Sequence, residues 1–286
     1  MSAPLIQVKD LHHTYLRSTP MERVSLRGVD MVIESGEIVG LIGPTGSGKS
    51  TLLQHLNGLL RPQRGEVWVA GQSLTDPHTD LRRVRHWVGL LFQNPEDQLF
   101  ERYAGDDVAF GPRNLGLGRE EVRERVRWAM EAVGLDFMTF KDRLTVTLSH
   151  GERRRLGLAG VLALEPDVLA LDEPTAGLDP QGREELLHYL MRWHAERGRT
   201  ILLVSHTMED LAQLADRIYI LVAGRIVLEG TPRQVFSQGE LLADLGLGVP
   251  APTRVMRQLR ARGLPVRADC LTVEEAAAEI GALFHA

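Results

Sequence analysis

Apolar and polar positions alternate with different periods along the chain, and each change of period predicts a different element. Over residues 5–37, short apolar runs alternate with polar breaks and end at Ser35-Gly36-Glu37, the pattern of antiparallel strands joined by turns in a small β layer. Ile38-Val39-Gly40-Leu41-Ile42 is instead a short continuous apolar run rich in β-branched residues, which suits a strand buried on both faces. A glycine-rich loop follows, then a helix beginning near Thr51. Across 80–163 the character changes, with Val122, Val126, Met130 and Val133 recurring at helical spacing among Arg and Glu, which predicts an inserted helical subdomain. Core strands return at 168–171 and 201–204, separated by a helix with Leu186, Leu187, Leu190 and Trp193 on one face. Strand, helix, strand is the order of an α/β fold. Residues 219–222 and 225–228 flank Ala223-Gly224 and read as a terminal hairpin. Beyond Phe236, Gly246-Leu247-Gly248, Pro250 and Pro252 mark a linker before two short helices. The last helix opens with Thr272 and Glu275 at capping-box spacing and offers Ile280, Leu283 and Phe284 as an apolar face.

These divisions predict a main domain over 1–236 and an extension over 237–286, for which a dimer contact is the expectation. The apolar share of 43% and charged share of 25% are those of ordinary globular proteins, and no run is long and uncharged enough to span a membrane. Any membrane role must then come through a partner. The first ten residues lack the basic start and apolar stretch of an export signal, so the chain is expected to stay in the cytoplasm. Cys270 is the single cysteine, which rules out an internal disulfide framework and a cysteine-rich zinc site. A net charge of −5 argues against a broad nucleic-acid surface, and the run Arg82, Arg83, Arg85 reads as a solvated helix face.

The most specific chemistry lies between the buried strand and the helix after it. Gly43-Pro44-Thr45-Gly46-Ser47-Gly48-Lys49-Ser50 fits the spacing G-x-x-x-x-G-K-[ST], in the strand-loop-helix context the pattern needs. Glycines let successive backbone N–H groups turn inward on phosphate oxygens, and the helix start adds donors and a favourable dipole. Lys49 supplies charge to the β and γ phosphates, and the Ser50 hydroxyl suits Mg²⁺. The cradle alone does not separate a transporter ATPase from a kinase or a GTPase. Further on, Val168-Leu169-Ala170-Leu171-Asp172-Glu173 is an apolar strand ending in two carboxylates. Asp172 suits the shell of a metal and Glu173 the orientation or deprotonation of an attacking water, although a helix-capping turn is the plainer alternative. The turn-rich loop 174–180 holds a third acid, Asp179, and His206 follows the next apolar strand, within reach of a γ-phosphate or simply solvated.

Leu148-Ser149-His150-Gly151-Glu152 is similar to the signature L-S-G-G-Q of the ATP-binding-cassette (ABC) ATPases, and the motifs stand in that family's order. The resemblance covers most of 5–236 and implies a P-loop NTPase (RecA-like) α/β core with an N-terminal antiparallel β layer, an inserted helical subdomain and a small C-terminal extension. It implies an ATPase using ATP and Mg²⁺. Gly43, Pro44, Thr45, Gly46, Ser47, Gly48, Lys49, Ser50 and Thr51 become the Walker A cradle, Gln93 the Q-loop glutamine near metal and water, and Asp172 and Glu173 the Walker B acids. Residues 176–179, ending in Asp179, become the D-loop, and His206 the switch histidine. Tyr15 stands where the family places an aromatic on adenine, with a core tyrosine as the competing reading. In the family two cassettes bind ATP head to tail, so Ser149, Gly151 and Glu152 would meet ATP held by a second cassette. His150 and Glu152 depart from the pattern, and one weak site of two would fit a heterodimer.

A narrower likeness lies in Gln93-Asn94-Pro95-Glu96-Asp97-Gln98-Leu99-Phe100, in 107–112 and in 53–59, which resemble the ATPases of energy-coupling factor importers. That likeness implies a peripheral place at the cytoplasmic face of the membrane and two kinds of partner. One is a transmembrane coupling protein; the other is a small membrane protein binding a vitamin or a metal ion such as cobalt or nickel. Glu96 and Asp97 would receive arginines of the coupling protein, an ordinary acidic turn being the alternative. The rival readings are a soluble ABC ATPase acting on nucleic acid or translation, and a nucleotide-bound scaffold with little hydrolysis.

Overall fold

The computed structural model describes residues 4–284. β1 (Ile6–Tyr15) and β2 (Arg23–Ile33) pair antiparallel with Val8 opposite Met31, which places Ile6, Val8, Leu26, Met31 and Ile33 on a buried face. β3 (Ile38–Ile42) is buried at every position and leads through the loop 43–48 into α1 (Lys49–Leu56). β4 (Arg64–Val69) and β5 (Gln72–Ser73) complete an antiparallel sheet in the order β2-β1-β4-β5. Then come α2 (Leu81–Trp87), β6 (Val88–Leu91) and a 3-10 turn at Pro95–Gln98. The helical part follows: α3 (Ala104–Asn114), α4 (Arg119–Ala132), α5 (Phe137–Phe140) and α6 (His150–Leu162). β7 (Val168–Asp172), α7 (Pro180–Arg197), β8 (Thr200–Val204), α8 (Met208–Leu214), β9 (Arg217–Val222) and β10 (Arg225–Gly230) return the chain to the core.

The second sheet has the order β10-β9-β3-β8-β7-β6, with β10 antiparallel to β9 and every other neighbouring pair parallel. Period-two alternation divides its side chains between two cores. Val39, Leu41, Val168, Ala170, Leu202 and Val204 pack toward α1 and the antiparallel sheet, while Ile38, Ile42, Leu169, Leu171, Ile201 and Leu203 pack with α3, α4, α6, α7 and α8. The stretch 80–163, helical by its period, contains one core strand, since β6 lies beside β7 with Val88 opposite Val168. Val88-Gly89-Leu90-Leu91 is a run of buried residues without a period, so pattern alone does not part it from the helices on either side. The arginines of α2 do lie on an exposed face, with Arg83 over the Trp87 ring.

Past β10 the chain forms α9 (Pro232–Ser237), α10 (Gly239–Asp244), α11 (Ala251–Ala261) and α12 (Val273–Ala282). Met256, Val266, Cys270 and Ala276 make a small third core, with Ile280 and Leu283 packed against it. Phe284, expected on the same apolar face, is instead exposed. Thr272 caps α12 by accepting from the Glu275 amide at 3.2 Å, but the Glu275 carboxylate turns to the Leu271 amide and to Arg233 rather than back to Thr272. Arg233 also reaches Asp269, and Arg257 donates to the Phe236 carbonyl at 2.6 Å, which ties the extension to α9.

Candidate nucleotide site

The carboxyl ends of β3, β6, β7 and β8 lie side by side at one edge of the parallel sheet, where α/β folds gather ligands. The loop from β3 is tight. Gly48 caps α1 at φ +110°, and a Cβ there would lie 2.8 Å from the Ser25 carbonyl oxygen, so glycine alone lets β2 close over the loop. Lys49 is buried and its ammonium donates to the carbonyls of Gly43 (2.7 Å) and Pro44 (3.1 Å). Burial pushes that ammonium below the usual lysine range, against the pull of the Glu173 and Asp172 carboxylates.

Asp172 ends β7 as a buried acid whose carboxyl is pushed up by burial, although a hydrogen bond with the Ser50 side chain works the other way. Glu173 follows in the left-handed region at φ +53°, a conformation costly for a side chain that large, and its amide donates to the Val204 carbonyl at 3.0 Å. That backbone turn aims the carboxylate back over the sheet edge. Glu173 Oε1 lies 2.7 Å from His206 Nε2, and Oε2 accepts from Gln93 Nε2 at 3.3 Å, so residues from the ends of β6, β7 and β8 converge on one group.

A cleft of about 440 Å³, within the range of small-molecule sites, brings together Tyr15, Thr45, Gly46, Gly48, Lys49, Ser50, Thr51, Gln93, Asp172, Glu173 and His206. Gly43 and Pro44 stand behind it as the carbonyls holding Lys49, and the Ser47 amide donates to Pro44 at 3.1 Å. Thr51 accepts from the Ser25 hydroxyl at 2.8 Å and bonds the Tyr15 hydroxyl at 3.1 Å. Tyr15 is half-exposed at the rim, its ring edge-on to His13 at 4.5 Å, and is not a core tyrosine. A larger concavity between α3, α4 and Lys141 holds none of Lys49, Gln93, Asp172, Glu173 and His206.

Comparison with known proteins carries the geometry to a family. The ABC transporter family pattern matches residues 26–176. The energy-coupling factor transporter ATP-binding protein EcfA2 of Symbiobacterium thermophilum is 53% identical over 268 residues, covering 94% of this chain and 92% of the relative. The protein of the same name from Clostridium perfringens is 48% identical over 271 residues, 95% of each. This chain belongs to the ABC transporter family, among the energy-coupling factor ATP-binding proteins. Among solved structures it is similar to cbiO1 of Clostridium perfringens, part of the ABC transporter complex cbiONQ (33% identity, TM-score 0.74, covering 92% of this chain and 100% of that one). It is also similar to the cassette MJ0796, dimeric and bound to ADP and Pi (27% identity, TM-score 0.73, covering 79% and 98%).

The cassette keeps its signature apart from the cleft. Ser149 caps α6, accepting from the Glu152 amide at 3.2 Å, while its own amide donates to Glu152 Oε2 at 2.6 Å. Arg143 occupies the other oxygen at 3.1 Å. Partial burial opposes ionisation of Glu152, but the Ser149 contacts and Arg143 hold its carboxyl below the ordinary range. Both oxygens of Glu152 are thus engaged within the chain. Gly151 lies beside the loop leading to α7, and Asp179 accepts from the Gly182 amide at 2.7 Å as the cap of that helix. Neither lines the cleft. Two residues that do line it escaped sequence reasoning, Arg23 and Ser25 of β2. A cation two residues before a cleft-lining serine was a weak signal, and nothing in a strand's alternation says which strand end crosses a loop far along the chain.

Proposed function

We propose that the cassette hydrolyses ATP at the cytoplasmic face of a membrane. It pairs with a second cassette and drives a transmembrane coupling protein for a small membrane protein that binds a vitamin or a transition-metal ion. The observation that carries this reading is the convergence of Gln93 and His206 on Glu173, beside Lys49 and Asp172, in one cleft. Such a set suits hydrolysis, because Glu173 can accept a proton from water while Gln93 and His206 hold its two oxygens in place. Lys49 exchanges its carbonyl partners for phosphate oxygens, a gain in charge complementarity.

The donor set around Asp172 fits Mg²⁺: a buried carboxyl and the Ser50 hydroxyl are hard oxygen ligands, and a cation would stabilise the ionised form that burial opposes. Gln93 reaches the same neighbourhood from β6. When bound, Mg²⁺ neutralises charge on the transferring phosphoryl group. The half-exposed Tyr15 ring is available to adenine, and the free faces of Ser149 and Gly151 to ATP on the second cassette. No helix among the described residues is long and apolar enough to cross a membrane, so the membrane is reached through a partner. Phe100 and Phe110, exposed and packed edge to face at 4.6 Å, together with exposed Asp97, form a surface suited to amphipathic helices with basic residues. Glu96, expected beside Asp97 in that role, turns toward His150 instead.

Work comes from unequal nucleotide affinity for open and closed pairs of cassettes. The assembled complex carrying Glu173→Gln should bind Mg-ATP as before while its turnover falls by at least about 100-fold. Unchanged turnover removes Glu173 from catalysis, and failure to co-purify with membrane proteins removes the transport reading.

A further inference from the structure

His150 stands where the family signature has glycine, and its half-exposed ring lies against an acid of a neighbouring turn. Its Nδ1 lies 2.7 Å from Glu96 Oε2, on the turn Pro95–Gln98 that follows β6. That carboxylate oxygen is shielded from solvent and accepts no hydrogen bond among the described residues, so its contact with the ring is one of charge, and the Arg154 guanidinium lies within its electrostatic reach. The turn is fixed to α6 twice more. Arg154 Nη2 donates to the Gln93 carbonyl at 3.2 Å, and Pro95 packs so closely on Gly157 that an added Cβ would come within 2.8 Å of the proline Cβ. The far side of the imidazole is half-exposed and turned toward the loop before α7, with Nε2 lying 3.6 Å from where a Cβ on Gly177 would sit.

Resting on the two-cassette reading proposed above, we infer that His150, held by Glu96, is a nucleotide-binding residue whose Nε2–H donates to a terminal phosphate oxygen of ATP seated on the companion cassette. With Nδ1 set toward the Glu96 carboxylate, Nε2 is the ring atom left to donate to the phosphate. The pair repeats, on the signature helix, the arrangement of Glu173 with His206 in the cleft, where the oxygen-to-nitrogen distance is also 2.7 Å. Glu96 is a positioning residue, since it touches the ring and not the nucleotide. Because it sits on a turn beside Asp97 and Phe100, displacement of that turn by the membrane partner moves the phosphate donor.

The contrary expectation, that a side chain in place of glycine merely obstructs the nucleotide, makes the test two-sided. The full chain carrying Glu173→Gln, together with the companion cassette that co-purifies with it or as a homodimer, is titrated with Mg-ATP and closure followed by light scattering. Adding His150→Gly should raise the ATP concentration for half-closure about 10-fold, the loss of one charged hydrogen bond. The affinity of the unpaired chain for ATP should stay within about two-fold, because its own cradle is untouched. Glu96→Gln should raise the half-closure concentration about three-fold, and the double variant should be no weaker than His150→Gly alone. Closure of the His150→Gly chain at equal or lower ATP, or effects of the two changes that multiply independently, overturns the inference. If the parent Glu173→Gln chain binds ATP yet never closes, the two-cassette reading has failed first; normal closure with silent His150 variants fails this inference alone.

Discussion

The two regions of the cassette proposed to bear on nucleotide are built on opposite plans. The cradle around Lys49 is enclosed: its lysine is buried, its loop is closed over by β2, and its partners are mostly main-chain groups of the same segment. The signature around Ser149 is open, with Ser149 and Glu152 satisfied by one another and by Arg143, and with His150 set against Glu96 on a neighbouring segment. A pocket made of backbone is ready before its ligand arrives, whereas a surface made of paired side chains must exchange partners when a second molecule docks. On this view the cradle governs whether ATP binds at all, and the signature governs what happens after.

The largest effect should therefore come from the enclosed end. Lys49→Ala removes the buried side-chain cation of the cradle, and Mg-ATP affinity of the single chain should drop by about 100-fold, near the 3 kcal/mol of a charged contact in a dry site. Equilibrium binding of a fluorescent ATP analogue measures it, and a loss under about five-fold would mean the backbone alone grips the phosphates.

Acid should also strike the enclosed end first. His55, on α1 behind the loop, is fully buried, and its Nδ1 donates to the Thr51 carbonyl at 2.7 Å. Burial brings its pKa down to about 4 from 6.5, only partly opposed by that hydrogen bond. The unfolded chain therefore takes up this proton at higher pH than the folded one. Its contribution is complete above the unfolded value of 6.5 and is lost as the pH falls toward about 4, a difference of about 3 kcal/mol. Denaturant melts from pH 7 to 4 on the native chain and on His55→Leu should diverge by that amount; parallel curves would show that His55 is not the group titrating.

At the open end the effects shrink. Ser149→Ala deletes half of the capping box on α6 and should cost about 1 kcal/mol, a fall of roughly 2–4 °C in the melting midpoint of a chain this long. Nucleotide binding by the single chain should be unchanged. A cost indistinguishable from zero would mean that Glu152, already tied to Arg143, holds the helix start by itself.

The same contrast explains what could be read from sequence. The cradle's spacing, the two acids after β7 and the histidine after β8 are local patterns, and the parallel sheet brings those strand ends to one cleft by topology alone. The four-residue strand Val88–Leu91 was hidden because a short buried run has no period. The inward turn of Glu96 was hidden because its partner, His150, lies on a helix beyond the whole helical part, and no local pattern encodes such a pairing. Phe284 failed for a simpler reason: a helical face continues on paper past the residue where α12 stops.

Arg23 tests how enclosed the cradle is. Its Nη2 lies 2.9 Å from where a Cβ on Gly46 would sit, at the mouth of the loop, and no carboxylate lies within ion-pair distance of it among the described residues. A cation left without a carboxylate beside a phosphate loop is free to meet the nucleotide, yet it is exposed, so water screens most of its attraction. Arg23→Ala should weaken ATP binding by only about three-fold, and raising the salt concentration should shrink the difference further. A loss as large as that from Lys49→Ala would mean β2 closes over the bound nucleotide and buries the guanidinium, and the cradle would then be finished by its ligand rather than complete beforehand.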